Sequence, residues 1–200
     1  MAEHAERWEH AYQTGRTGWD LGQPAPPFVD LLHGPEAPVP GQLLAPGCGR
    51  GHDALLFARH GFAVTGVDIA PSAVAAASEA ARQAGLAARF VVDDLFALAE
   101  RWPAAFDYAV EHTCFCAIDP ARRAEYARVL HAVLRPGGEL IGLFLVHGRP
   151  GGPPYTTDEP EVRALMAPFF EIERLEPAAN SHPRHRGQEL FARLRRRATR

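Results

Sequence analysis

The stretch "LLAPGCGRGHDALLFARHGFAVTGVDI", Leu43–Ile69, decides the fold. An apolar run enters a glycine-rich turn at Gly47–Gly51, a helix-like segment follows, and a second apolar run ends on Asp68. Strand, turn, helix and strand in that order make a parallel βαβ unit. Open α/β sheets bind ligands outside the carboxyl ends of their strands, which is where this turn falls. Glycines there let a ligand come close to the backbone. Asp68 follows at roughly the 20-residue spacing at which an acid accepts hydrogen bonds from a ribose. The unit therefore reads as a nucleotide site.

Two nucleotide fingerprints are excluded. The dinucleotide pattern G-x-G-x-x-G, counted from Gly47, needs its third glycine where His52 stands. The chain contains no lysine, which rules out a G-K-[ST] phosphate loop and a Schiff-base lysine.

Working outward, strand-like runs occupy 42–46, 62–68, 88–92, 106–111 and 138–146, with helix-like runs at 53–60, 71–84 and 121–134 between them. A short helical piece is expected at 95–101. This alternation predicts a doubly wound α/β sheet. The end changes character. A helix near 158–167 is followed by "FFEIERLEP" and "QELFARLRRR", two strands without a long helix between them, which predict an antiparallel hairpin at one edge. Before the sheet come a helix at 3–13, a Gly- and Pro-rich loop at 14–27 and a short helix at 28–33. Organisation is expected to be one domain over 1–200, with 1–35 as an N-terminal lid segment and 42–200 as the sheet core. The third strand ends in "VVDDLF", where an acid can accept from an adenine amino group and apolar neighbours can stack on the ring. Asp94 with Leu95 is assigned there, and Asp93 is the alternative to Asp94.

Bulk properties narrow the class. The formal net charge is -3 over 200 residues, so no nucleic-acid partner is expected, and the tail "RLRRRATR" reads as a solvated end. No run approaches the ~20 apolar residues of a membrane span. The start "MAEHAERWEHAYQ" lacks the apolar core of a signal peptide, and the three cysteines are odd in number, which points to reduced thiols in the cytoplasm. No interface pattern is visible, and a monomer is expected.

The segments "PGCGRGHD", "GVDIAPSAV", "DDLF" and "CFCAIDPARRAEY" together resemble the class I S-adenosylmethionine-dependent methyltransferases. More narrowly, with "RWEHAYQTGRTGWDLGQPAP", "GGPPYTTDEPEV" and "HPRHRGQE", they are similar to the thiopurine S-methyltransferase family and its thiol and halide methyltransferases. The resemblance covers nearly the whole chain. It implies a Rossmann-like seven-stranded, mostly parallel sheet with the last strand antiparallel, and S-adenosyl-L-methionine as cofactor, leaving as S-adenosyl-L-homocysteine. It also implies that Trp8, Tyr12 and Trp19 close over the cofactor, and that Gly47, with Cys48 and Gly49, approaches its methionine part. Asp68 with Ile69 would hold the ribose, and Asp94 and Leu95 would flank the adenine. His112 would sit near the amino acid end and the transferred methyl. Two residues depart from the pattern: Tyr12 stands where the thiol and halide group usually has tryptophan, and His112 where plant members usually have tyrosine.

Methyl transfer to an anion cancels opposite charges, so a dry pocket and in-line positioning favour it. Iodide, bisulfide and aromatic thiols need no strong base, which fits the lack of a Ser-His-Asp or paired-carboxylate pattern. The acceptor expected is a small-molecule soft nucleophile: a thiol, bisulfide, halide or thiopurine-like compound. Rival readings are methylation of another small molecule, such as a selenium or tellurium oxyanion or an oxygen or nitrogen nucleophile, and a non-catalytic sensor of the cofactor.

Within the expected reaction, His112 is the catalytic candidate, as substrate hydrogen-bond partner or proton acceptor. Glu111 is assigned to the cofactor's amino acid end. Trp19, Tyr155, Arg184 and Arg186 are assigned to the substrate. Asp20 and Gly22 are expected to shape the lid turn. Cys114 and Cys116 are expected to share one face of a strand as buried structural thiols, and "SHPRHRG" to be a solvated loop over the pocket mouth. No metal site is expected.

Overall fold

The computed structural model describes residues 2–198. Seven strands form one sheet in the order β3-β2-β1-β4-β5-β7-β6. The chain divides after Leu95 into two compact units.

The first unit holds α1 (Ala2–Gln13), α2 (Pro26–His33), β1 (Gln42–Pro46), α3 (His52–Arg59), β2 (Ala63–Asp68), α4 (Pro71–Gln83) and β3 (Arg89–Val92). Strands β1, β2 and β3 pair in parallel, Leu44 opposite Thr65 and Val67 opposite Val91. The βαβ expectation is met. Helix α4 starts on Pro71 at its first turn, where a missing N–H costs nothing, and buries Ala73, Val74, Ala77 and Ala81. Small residues on that face let the helix lie close to the strands. A Cβ built on Gly66 of β2 would come within 2.4 Å of the Phe90 ring, so the packing there depends on a glycine.

The second unit holds α5 (Leu98–Arg101), β4 (Phe106–His112), α6 (Arg123–Val133), β5 (Leu134–Leu145), α7 (Glu159–Met166), β6 (Phe170–Pro177) and β7 (Glu189–Arg196). Strands β4 and β5 are parallel, while β7 runs antiparallel to both β5 and β6. The late hairpin expected from the sequence is present, with β7 inside and β6 at the edge. Asp158 caps α7 by accepting from the Glu161 N–H at 2.8 Å.

Beyond shifts of one or two residues, two features depart from expectation. Helix α6 ends at Val133 and the chain passes straight into β5, four residues before the expected strand start. Leu134 already pairs with Phe106, and the next match, Tyr108 with Glu139, leaves the intervening residues of β5 as a bulge that absorbs the Pro136-Gly137 turn signal. The second difference concerns β4. The strand stops at His112 because Thr113 takes a φ of +60°, and a turn of 3₁₀ helix, Phe115–Ala117, follows. Cys114 and Cys116 therefore lie on a turn, not on one face of a strand. Both are nonetheless buried.

Candidate active site

The glycine turn leaves β1 and delivers the chain into α3. Gly51 ends it with a φ of +79° as the residue before the helix. Gly49, at a φ of +53°, has no room for a side chain: a Cβ there would lie 2.8 Å from the Tyr12 hydroxyl. Asp68, at the carboxyl end of β2, is buried and ties the turn down. One oxygen accepts from the Gly49 N–H at 2.8 Å and the other from the Ala70 N–H at 2.9 Å. Burial pushes its carboxyl upward, and the N–H groups of Ala70, Gly49 and Ile69 pull against that shift. A carboxylate offers about four acceptor sites, so these bonds leave capacity for a further hydroxyl.

The N-terminal segment is fastened to the same turn. Glu9 of α1 accepts from the Ser72 N–H at 2.9 Å and from the Ser72 hydroxyl, at the start of α4. Trp19 stands edge-on to both Trp8, with centroids 5.0 Å apart, and Tyr12, at 5.7 Å. The Trp19 indole N–H donates to the Tyr12 hydroxyl at 3.2 Å. Burial and the nearby Asp68 charge raise the Tyr12 phenol, so it stays protonated.

Asp20 is the second fastening. Its carboxylate meets Arg50 Nη1 at 2.5 Å and His52 Nε2 at 3.0 Å, and accepts from the Gly22 N–H at 2.8 Å. Burial alone would raise the Asp20 carboxyl, but Gly22, Arg50 and His52 hold it below the usual carboxylate range. Asp20 thus closes the turn that carries Gly22. His52, which breaks the dinucleotide spacing, holds the N-terminal segment through Asp20. At the end of β3, Asp93 accepts from the Asp94 N–H at 2.9 Å, and the Asp93 N–H donates to the Asp68 carbonyl at 3.1 Å, which carries Asp94 and Leu95 beside the end of β2.

In the second unit, β4 ends on Glu111 and His112. Glu111 is fully buried; one oxygen accepts from the Phe115 N–H at 2.6 Å, and the other has no hydrogen-bond partner. Burial pushes its carboxyl up to about 7 against the opposing pull of the Phe115 N–H. Burial and the Glu111 charge push the Cys116 thiol up to about 12, so it is no nucleophile at neutral pH.

His112 meets a residue the sequence did not single out. Its Nε2 lies 3.3 Å from Glu189 Oε1, and His185 Nδ1 lies 2.8 Å from the same oxygen. Side-chain exposures are 9% for His112, 11% for His185 and 1% for Glu189. Glu189 opens β7 opposite Leu145, and His112 pairs with Leu143, so the group sits at the carboxyl end of β5. Burial alone would raise the Glu189 carboxyl, but hydrogen bonds from His112 and His185 bring it down to about 2. The expectation that the whole "SHPRHRG" stretch is solvated is corrected here: Arg184 and Arg186 are exposed, whereas His185 turns inward to Glu189.

Tyr155 packs back on its own loop, against Gly152. Its carbonyl and that of Thr156 accept from Arg123, which is fully buried, reaches Glu161 at 2.8 Å and lies 4.6 Å above the Phe115 ring. Arg123 is a second residue that the sequence did not single out. It fixes the loop after β5.

The chain matches the thiopurine S-methyltransferase family over residues 3–197. It belongs to that family. Thiocyanate methyltransferase 1 of Arabidopsis thaliana is 34% identical over 190 residues, 93% of this chain and 82% of that protein. A 2-heptyl-1-hydroxyquinolin-4(1H)-one methyltransferase of Mycobacteroides abscessus is 28% identical, over 89% of this chain and 79% of its own. Among solved structures, an N1-methyltransferase of 1,6-didemethyltoxoflavin from Burkholderia thailandensis, with bound S-adenosylhomocysteine, shares the fold at a TM-score of 0.76 and 24% identity, covering 97% of this chain and 87% of that one. As a thiopurine S-methyltransferase family member, the protein is a methyltransferase that uses S-adenosylmethionine. The turn suits that donor: its glycines leave the backbone bare, and Asp68 keeps acceptor capacity for a ribose.

Proposed function

We propose that the protein transfers a methyl group to a small soft nucleophile: a thiol, bisulfide, halide or thiopurine-like compound. The observation that carries this reading is the aromatic cluster of Trp8, Tyr12 and Trp19, in a segment that Asp20 joins to Arg50 and His52 at the glycine turn. The names of the thiocyanate and thiol methyltransferase relatives support the same acceptor class.

Bound at this turn, S-adenosylmethionine supplies an electrophilic methyl on a sulfonium. Each residue then has an assigned task. Asp68 accepts from the ribose hydroxyls, with Ile69 beside it. Gly47, Cys48 and Gly49 offer backbone to the methionine part, and Asp94 and Leu95 flank the adenine. Glu111 takes the amino acid end of the donor. Trp8, Tyr12 and Trp19 exclude water, which strengthens the attraction between an anionic acceptor and the sulfonium. His112 positions the acceptor. Trp19 and Tyr155 border it, and Arg184 and Arg186 draw anions toward it.

On this reading the protein acts as a monomer, and in the cytoplasm, the latter supported by its three free thiols. No helix among the described residues is long and apolar enough to cross a membrane. Methylation of another small molecule, such as one with an oxygen or nitrogen nucleophile, is the second reading, favoured by the hydroxyquinolone in the name of the Mycobacteroides relative. An acceptor panel tests both. Purified protein with S-adenosylmethionine is given iodide, bisulfide, thiocyanate, an aromatic thiol, a thiopurine and a hydroxyquinolone in turn. Turnover on the sulfur and halide acceptors supports the first reading, and turnover on the hydroxyquinolone alone supports the second.

A further inference from the structure

His185 and Glu189 form a pair whose geometry does not depend on the residues assigned above. The 3₁₀ turn Pro183–His185 lies between β6 and β7, and the chain returns into β7 through Gly187, whose φ is +71°. That return brings His185 Nδ1 within 2.8 Å of Glu189 Oε1. An imidazole that gives its Nδ1–H to a carboxylate is fixed in one tautomer, with a lone pair on Nε2, the ring atom farthest from its own backbone. Nε2 of His185 takes part in none of the hydrogen bonds among the described residues. His112 is arranged the other way round. Its Nε2, not its Nδ1, faces the carboxylate, at 3.3 Å. The two rings stand edge-on with centroids 6.3 Å apart, and Ser181 lies beside the same carboxylate. A buried carboxylate that orients one imidazole and faces a second is the arrangement that stabilises an imidazolium.

We propose that His185, oriented by Glu189, is the proton acceptor for protic methyl acceptors, neutral thiols above all, so that the protein methylates thiols that are not already ionised. This rests on the soft-nucleophile reading and deepens it. The thiol gives its proton to His185 Nε2. Its sulfur then forms a bond to the donor methyl carbon and displaces S-adenosylhomocysteine, which keeps the electron pair of the broken carbon–sulfur bond. The products are the methyl thioether and the imidazolium of His185, held against Glu189 until water takes the proton. Glu189 is a positioning residue. His112 shares its charge from the β4 side, and Glu111, Cys116 and Arg123 are the other ionisable groups packed around that strand end.

A thiol of ordinary acidity, near pKa 8.5, is only a few per cent ionised at pH 7, whereas iodide carries no proton at all. The ratio of turnover on an aliphatic thiol such as 2-mercaptoethanol to turnover on iodide therefore reports the base. In His185→Gln and in Glu189→Gln we expect that ratio to fall at least thirtyfold at pH 7. Equal losses on both acceptors, or an unchanged ratio, overturn the proposal.

A second readout needs neither donor nor turnover. Nitrogen-15 shifts of the His185 ring should show the Nδ1–H tautomer in the wild type and lose it in Glu189→Gln. A ring protonated on Nε2 in the neutral wild type overturns the proposal. So does one equivalent of zinc that survives dialysis in the wild type and is lost in Glu189→Gln, since a cation would then occupy the carboxylate. If the wild type methylates neither acceptor, the soft-nucleophile reading fails, and the ring shifts still judge the pair.

Discussion

Asp20 of the N-terminal segment and Arg50 of the glycine turn are joined at 2.5 Å, and the same carboxylate holds His52 at 3.0 Å. The turn and the first residue of α3 thus hold the N-terminal segment. Asp20→Ala frees Arg50, His52 and the Gly22 N–H. The variant should bind S-adenosylmethionine about tenfold more weakly, roughly 1.4 kcal/mol, because an isolated half-exposed pair contributes less than this and the network somewhat more. Calorimetric titration measures it, and an unchanged Kd means the lid does not close on the donor.

Gly49 and Tyr12 provide a double-mutant test. Gly49→Ala places a methyl 2.8 Å from the Tyr12 hydroxyl at a φ of +53°. We expect more than tenfold loss of donor affinity. Adding Tyr12→Phe removes the oxygen and should recover part of the loss, the remainder being backbone strain of about 1 kcal/mol. Two losses that simply add would place the Tyr12 ring away from the turn whenever donor is bound.

Asp68→Ala should weaken donor binding by more than tenfold, since hydrogen bonds to a charged group contribute about 1.5–3 kcal/mol. Asp68 also holds the Gly49 and Ala70 N–H groups, so part of the loss reflects a disturbed turn. Asp68→Asn preserves one acceptor oxygen and should fall between. Full affinity in the Ala variant removes Asp68 from the site.

Glu111 predicts a pH dependence of stability. Its carboxyl is raised from 4.5 to about 7 in the folded protein. Between those values the folded state holds a proton that the unfolded state has lost. Stability from this group is therefore fully present below about 4.5 and is lost as pH rises through 7. The loss is on the order of 3 kcal/mol. Glu189 acts in the opposite sense in a separate window: its contribution is present above 4.5 and lost as pH falls toward 2. Urea unfolding without donor should show wild-type stability falling from pH 5 to 8, and Glu111→Gln should flatten that slope. A slope that persists in the variant assigns it elsewhere.

Arg123→Met should cost about 3 kcal/mol or more, because it leaves the Tyr155 and Thr156 carbonyls and Glu161 without their shared donor. A melting temperature lower by roughly 10 °C is expected for a chain of this size. A change under 2 °C would mean that the loop after β5 is held by other contacts.

The βαβ units, the glycine turn, Asp68 and the late hairpin were legible because each rests on local pattern: period, turn chemistry and spacing within some twenty residues. Glu189 was not, because its partner His112 lies on β4, far away in sequence, and only the antiparallel return of β7 brings the two together. His185 sits in a run of charged residues that reads as solvated. Its inward turn depends on the backbone reversal at Gly187. Arg122 and Arg123 are indistinguishable in "DPARRAEY"; the helix phase exposes one and buries the other. The cysteine placement failed on Thr113, whose positive φ ends β4 before Cys114 and carries no marker in a residue of that type.

The central claim is methyl transfer to a small soft nucleophile. It is tested most directly by headspace gas chromatography with mass detection, using S-adenosylmethionine deuterated in its methyl group and either bisulfide or iodide. The account predicts trideuterated methanethiol or methyl iodide formed over many turnovers, together with stoichiometric S-adenosylhomocysteine. Tight donor binding with neither volatile product and no S-adenosylhomocysteine would contradict it.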